Sequence, residues 1–425
     1  MPNGFSKEEV VAFDQLLEGF QDALVMSRNV AVYRTDQTMM ERSNDTIWRP
    51  QPYIGLSYTG SDATTNFTDY TQLSVPASIT TQKHVPWIFT AKELRDALQE
   101  QRISQSAEQK LASDINQAVI DAASYYGSVF IRQTSAATGF NDVALIEAAF
   151  NESGVSFEDR KLVLSTRDYN GMASDLQKNT RSFGDPISNE ALRRASVGMV
   201  ASFDTYKADY LRRKAAALAV GPSAITTSTL DAAQNYYIPR ATSTAVTGEI
   251  NNVDNRFDNI TVTDTTNVAV GDAFTIANVN RVHMITKEDT GQPMTFRVVE
   301  VVNGTTLKIT PPVISNQVAN PASAQYQNCV VTSKSGTAAI SMLNTVAGFM
   351  NPFWSKDAIE ILPGRLAIPN DAGAAVMRAS TDNGVEVVMQ KQFDINTQRI
   401  KFRVDTLFGV VNKQPQMSGI IMFNQ

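Results

Sequence analysis

Between Ala224 and Ile340 the apolar residues come in short alternating runs, the period-2 pattern of strands with one buried face. TFRVVEVV (Thr295–Val302) and TTLKIT (Thr305–Thr310) flank Asn303-Gly304, the strongest short-range hairpin signal, because both residues tolerate positive φ. Ile260–Val262 and Val268–Ile276 read as two further strands, broken at Gly271-Asp272. Short strands at such close spacing bury a common face only by closing into a barrel or sandwich. The stretch therefore reads as an inserted antiparallel β-barrel, residues 222–335, within a parent domain. A basic helical run, ADYLRRKAAALAV, precedes it and stops at Gly221-Pro222. After it, GTAAISMLNTVAGFM is expected to resume a helical rhythm.

Ahead of the insert, Ser6 and Glu9 have capping-box spacing, and Val10, Phe13, Leu17, Phe20 and Leu24 recur at intervals of three and four. This predicts an amphipathic helix to about Met26, either docked on its own domain or serving as an arm on a neighbouring subunit. Residues 51–85 are rich in Thr, Ser, Gln and Tyr, and Leu73, Val75, Ala77 and Ile79 alternate with polar residues. With turn chemistry at Thr59-Gly60-Ser61-Asp62, they predict a long hairpin. Such a hairpin is either folded back on its own core or covered by another chain, since its edges would otherwise offer unpaired backbone. A second capping box, Thr90 to Glu93, leads toward a helix over Ser104–Tyr125. Its face is Ile103, Ala107, Leu111, Ile115, Ala118 and Ala122, and Gly127 ends it. At 1.5 Å per residue that helix is roughly 30 Å long.

Residues 129–220 alternate strand-like runs (VFI, KLVLS) with helical ones (DVALIEAAF, SDLQKN, ALRRAS), an α+β texture. Beyond the insert, VEVVMQKQFDI and QRIKFRVDTLFGVV read as two long antiparallel strands joined at Asn396-Thr397, and QPQMSGIIMF as a last short one.

Composition narrows the function. The 425 residues suffice for two or three domains with real cores. A net charge of −6 argues against a dedicated nucleic-acid binder, which needs clustered cations to displace counterions from phosphate. One cysteine, Cys329, allows no internal disulfide. Glu8, Glu9, Asp14 and Glu18 occupy the place of a signal peptide's positive and apolar regions, and no apolar run nears the roughly 20 residues of a bilayer span. A soluble chain made in the cytoplasm, with no membrane partner, is expected.

Candidate chemistry is sparse. The histidines are two, His84 in the Thr/Gln-rich stretch and His283 in the insert, with no nucleophile-elbow sequence near either. A Cys/His metal site is excluded by the count, and no phosphate-binding or dinucleotide-binding glycine motif occurs, so neither metal nor cofactor is expected. Paired carboxylates could build a glycan hydrolase, but nothing singles out a pair among the 43 Asp and Glu. Phe349, Met350, Phe353 and Trp354 read as core. A trimeric tail or adhesin protein should show repeats, and none is visible. What remains is the profile of a subunit that assembles.

Three segments carry a resemblance. SNDTIWRP (Ser43–Pro50), NVDNRF (Asn252–Phe257) followed by VAVGDAF and FRVVEVVNGTTLKITP, and NPFWSKDAIEIL (Asn351–Leu362) resemble signatures of the major capsid (coat) proteins of short-tailed enterobacterial phages, in the same order. The resemblance implies a Hong Kong 97-type capsid fold and no catalysis. In that frame residues 1–30 are an N-terminal arm, and 31–50 and 86–127 a peripheral domain with its spine helix. Residues 51–85 are an extended loop, 128–221 and 336–369 an axial domain, and 222–335 the inserted barrel, while 370–425 return to the peripheral domain. It also implies self-assembly into hexamers and pentamers, a scaffolding protein, a portal, enclosed double-stranded DNA, and a precursor shell built in the host cytoplasm that becomes the virion head. Candidate contact residues are Phe13, Leu17 and Phe20 of the arm, and Tyr58, Asp62, Phe67, Asp69 and Tyr70 of the loop. The basic groups Arg193, Arg194, Arg212 and Arg213 either form a solvated face or meet a negatively charged partner. Family members can carry a charged loop before NVDNRF that bridges capsomers; here ATSTAVTGEIN has Glu249 as its only charge, so polar or apolar contacts would have to do that work.

Overall fold

A computed structural model describes residues 5, 7–33, 46–52, 55–67, 70–90, 93, 97–179, 198–220, 226–227, 236–315, 317, 320–332, 338–368 and 374–424. The chain divides into two compact units, Met1–Ile47 with Ala77–Asp121 and Ile359–Val411, and Trp48–Pro76 with Ala122–Ala358 and Asn412–Gln425.

The first unit is built on a six-stranded sheet in the order Ala31–Val32, Ile359–Pro363, Arg399–Asn412, Glu386–Asp394, Ala375–Ser380, with Thr81–Thr90 also paired to Arg399–Asn412. The two long strands expected near the end of the chain are present and antiparallel, Asp394 opposite Arg399 across the turn at Ile395–Gln398. Buried Phe402 and Val404 alternate with the more open Lys401 and Arg403, as a strand with one covered face should. The N-terminal helix α1 (Lys7–Ala23) buries Phe13, Leu16 and Phe20 along one stripe. It stops three residues short of Met26 because Asn116 caps it: the Asn116 amide donates to the Ala23 carbonyl at 2.9 Å and accepts the Met26 N–H at 3.1 Å.

The long helix α2 runs from Ala97 to Tyr126, seven residues earlier than its apolar face predicts. Of the expected face Ala107, Leu111, Ile115 and Ala122 are buried, and Ala118 is half-buried with Val119 buried beside it. The Ile103 side chain lies outside the described ones, and the Gly127 N–H closes on the Ala123 carbonyl at 3.0 Å. Half of the second capping box is seen, the Thr90 N–H on the Glu93 carboxylate at 2.8 Å. Ser6 of the first box lies outside the described residues, and Glu9 instead forms a 2.5 Å buried ion pair with Lys391.

The second unit holds a six-stranded sheet ordered Val129–Arg132, Ser418–Met422, Asn351–Ser355, Arg160–Ser165, Phe203–Ala208, Met199–Val200. Arg160–Ser165 is buried at all six positions, since it has a parallel neighbour on one side and an antiparallel one on the other, with helices packed against the sheet. Helices α3 (Phe140–Glu152) and α4 (Thr166–Asn179) supply Ile146, Phe150, Tyr169 and Met172 to its core, with Phe353 and Phe203 opposite. The last strand is placed differently from expectation: Ser418–Met422 pairs with Val129–Arg132 and Asn351–Ser355 here, not with the long closing strands.

The insert forms a seven-stranded sheet ordered Thr226–Thr227, Ala338–Met342, Ala273–Val282, Asp289–Asn303, Thr306–Thr310, Asp258–Thr261, with Cys329–Val331 also on Ala273–Val282. A hydrogen bond from the Thr263 N–H to the Thr226 carbonyl, 2.9 Å, joins the two ends and closes the barrel. Phe274 and Phe296 stack in its core with centroids 5.7 Å apart, beside Val298, Leu307, Ile309 and buried Cys329. Four expectations change. Ala208–Val220, expected as a basic helical run before the insert, contains no helix and holds the two-residue strand Arg213–Lys214. Ala338–Met342 is a strand, not a resumed helix: Ala338, Ile340 and Met342 are buried while Ala339 and Ser341 face out. The strand expected from Val268 starts at Ala273, after a turn in which Gly271 has φ +83°. In the hairpin the turn residues are Gly304 and Thr305, neither Asn303 nor Gly304 has positive φ, and Asn303 instead accepts the Thr305 N–H at 2.9 Å through its side chain.

Candidate assembly surfaces

The predicted hairpin of residues 51–85 is divided: Thr81–Val85 belongs to the strand Thr81–Thr90 on the first unit's sheet, and Ser74–Ser78 is paired near the hairpin's base. Thr46–Pro50 and Ser74–Ser78 form a two-stranded sheet, and the described residues between them lack regular structure. The alternating face is real at the outgoing end, where Leu73, Val75, Ala77 and Ile79 are all buried. At the neck the Gln51 N–H donates to the Leu73 carbonyl at 2.9 Å, and the Gln72 amide donates to the Gln51 carbonyl at 2.8 Å. Beyond the neck, Tyr58 and Tyr70 are exposed and Phe67 is 84% exposed. Asp62 caps the next turn, accepting the Thr64 N–H at 2.9 Å and its hydroxyl at 2.5 Å, and those bonds hold its carboxyl below the usual range. Asp69 lies outside the described residues.

A second reaching element is the two-stranded hairpin Thr242–Thr244 with Ile250–Asn252. Its turn uses Gly248 at φ +85°, and the Ala245 N–H meets the Glu249 carbonyl at 2.8 Å. Glu249 is exposed, but the tip is apolar: Val246 is 109% exposed, and Ile250 lies open beside it. Asn255 fixes the base by bonding both backbone groups of Arg240, at 3.0 and 2.8 Å. Next to it burial pushes Asp258 up to about 6 and Tyr237 up to about 12.

The arm residues fall elsewhere. Phe13 and Phe20 are 4% and 0% exposed inside the first unit, so their rings belong to the chain's own core and the docked alternative describes them. Leu17 is half-buried. Arg212 and Arg213 are exposed, next to a short pairing of Arg213 with Phe349. Lys214 is not on a solvated face: it forms a 2.8 Å ion pair with buried Asp272. Arg193 and Arg194 lie outside the described residues.

Sequence reasoning missed buried Arg297 and half-buried Arg281 of the insert. Arg297 donates to the Ser124 carbonyl at 2.9 Å, in the last turn of α2. Arg281 donates to Ser153 Oγ at 3.0 Å and to the Ala149 carbonyl at 3.4 Å, at the end of α3. A cation there meets the negative end of the helix dipole. Burial lowers both pKa values, Arg297 down to about 10. The signal was a basic residue within an alternating strand, alone in Ala273–Val282 and accompanied by Asp289 and Glu300 in Asp289–Asn303. His283 is structural, its Nδ1 accepting the N–H groups of Ile285 and Thr286 at 3.3 and 3.2 Å.

What remains is two exposed elements with aromatic or apolar tips on a buried framework. A family model described as P22 coat protein, gene protein 5, matches residues 1–424. The chain belongs to the P22 coat protein family. It is a major capsid protein that associates with copies of itself into the icosahedral head of a phage, and it is not an enzyme. Among solved structures it is similar to the capsid of the cyanophage P-SCSP1u, at 12% identity and TM-score 0.42 over 93% of this chain and 86% of that one. It is also similar to the CUS-3 coat protein I-domain, at 39% identity and TM-score 0.21 over 28% of this chain and 96% of that one. A third is the satellite phage P4 procapsid including its size determination (Sid) protein, at 6% identity and TM-score 0.38 over 97% of this chain and 91% of that one.

Proposed function

We propose that this coat protein, of a short-tailed enterobacterial phage and of the Hong Kong 97 type, uses the loop of residues 51–73 and the hairpin of residues 242–252 as its reaching contacts between subunits. Assembly would begin in the host cytoplasm as a scaffolded procapsid with a portal, and end as a mature shell around double-stranded DNA. The observation that carries the reading is the loop itself, an irregular segment holding Tyr58, Phe67 and Tyr70 in solvent. Exposed aromatics on a segment held only at its base belong to an interface, where such rings give large contact area at low entropy cost.

The energetics suit a shell. Contacts of about 4 kcal/mol are millimolar alone, so misplaced subunits dissociate during growth. Closure then makes each subunit's several contacts multivalent. A net charge of −6 encloses DNA without gripping it, since like charge gives no counterion-release gain. Deleting Ser57–Tyr70 tests the reading. A soluble, folded subunit that forms no shells is expected, and regular shells from the deletion would overturn the loop's role.

A further inference from the structure

An irregular loop of this length takes its direction from its two ends, since its described residues form no strand or helix between them. The outgoing end meets the insert directly, and the incoming end meets it through the backbone of residues 412–413. At the outgoing end the Tyr326 hydroxyl donates to the Thr71 carbonyl at 2.9 Å and accepts the Leu73 N–H at 3.4 Å. One residue on, Ser74 forms a parallel bridge with Asp254. At the incoming end the Gln51 side-chain amide donates to the Lys413 carbonyl at 3.2 Å. The neighbouring Asn412 carbonyl accepts Arg256 Nη1 at 2.9 Å. Arg256 is itself held two-pronged by Asp254, at 2.9 and 2.7 Å. A cleft of about 70 Å³ remains beside these contacts, lined by Gln51, Leu73, Arg256, Pro312, Tyr326 and Gln414 among others. Directed polar groups beside this cleft therefore add to the burial of Leu73 and Val75 in tying the neck down.

We propose that Tyr326 and the Asp254–Arg256 pair are positioning residues for the extended loop, through which the insert fixes the direction in which the loop leaves the body. Tyr326 ties the outgoing strand directly. Arg256 ties the incoming one through the 412–413 backbone that Gln51 also grips. A two-pronged guanidinium–carboxylate pair suits this work, since its geometry fixes the orientation of the third donor that reaches Asn412. The significance for assembly rests on reading the loop as an assembly element.

The test uses the full chain and Tyr326→Phe, which keeps the ring and removes the hydroxyl. Amide hydrogen exchange at Leu73, and cleavage within residues 55–67 by dilute protease, are expected to accelerate about fivefold, the factor corresponding to the net worth of one hydrogen bond. Exchange at Phe274 and Phe296 in the barrel is expected to stay unchanged. Arg256→Lys, which keeps the charge and loses the planar fork, is expected to accelerate exchange at Gln51. Unchanged exchange at Leu73 and Gln51 overturns the proposal. So does acceleration at Phe274 and Phe296 alongside Leu73, since the substitution would then have loosened the insert itself. Shell formation is scored separately: regular shells from a protein with a released neck would overturn the loop's assembly role and leave the neck contacts standing.

Discussion

Asp272 compensates two buried cations, and removing its charge should show how strongly the insert depends on it. Its carboxylate pairs with Lys214 at 2.8 Å, with the two side chains only 13% and 2% exposed. It accepts the Ala269 N–H at 2.8 Å and the Asn344 amide at 3.0 Å, and its charge also acts on fully buried Arg297. Asp272→Asn preserves shape and an acceptor oxygen for a neutral donor. What it removes is the charge, leaving Lys214 buried without a counterion and Arg297 without compensation. Breaking one side of such a pair costs about 3–5 kcal/mol, because an uncompensated charge stays buried. Followed by tryptophan fluorescence in urea, at a slope of ~3 kcal/mol per molar, that is a midpoint shift of about 1–2 M. An internal control is Glu300→Gln, which breaks the exposed 3.6 Å pair with Lys308 and should cost under about 1 kcal/mol. Adding Lys214→Met to Asp272→Asn should recover part of the loss. A loss for Asp272→Asn no larger than for Glu300→Gln would refute the reasoning.

Three further outcomes are expected. Asp258 has its folded pKa raised from 3.8 to about 6, so its contribution is fully present below about pH 4 and is lost as pH rises through 6. Urea unfolding should therefore show about 3 kcal/mol less stability from this group at pH 7 than at pH 4, and Asp258→Asn should flatten that dependence. Val246→Asp at the open hairpin tip should leave monomer stability within about 0.5 kcal/mol yet weaken shells, read as earlier disassembly in urea. Phe67→Ser should behave likewise in the extended loop, with unchanged monomer melting and fewer particles by sedimentation.

Much of the fold was legible wherever one period dominated. The two long closing strands and the strand pair around Asn303-Gly304 appear, as do the helices α1 and α2. The expected helical stripes hold at Phe13, Phe20 and Leu24 and at Ala107, Leu111, Ile115 and Ala122, while Val10 is exposed and Leu17 and Ala118 are half-buried. Ala338–Met342 was misread because AAISM has small apolar residues on both faces, so its alternation shows only once Ala339 and Ser341 are seen to face out. Phe13 and Phe20 mark a helical stripe equally well for a docked helix and a free arm, and only packing decides between them. The neck of the loop was not legible either. Tyr326, Arg256 and Gln51 are far apart in sequence, and nothing local states that the first two close on the ends of the segment that Gln51 begins.

The central claim is that these residues make surfaces for copies of the same chain. Electron microscopy of the expressed full-length protein tests it most directly. Closed shells of regular size are the expected result, and a field showing only dispersed monomers at every concentration, with or without a scaffolding protein, would contradict it.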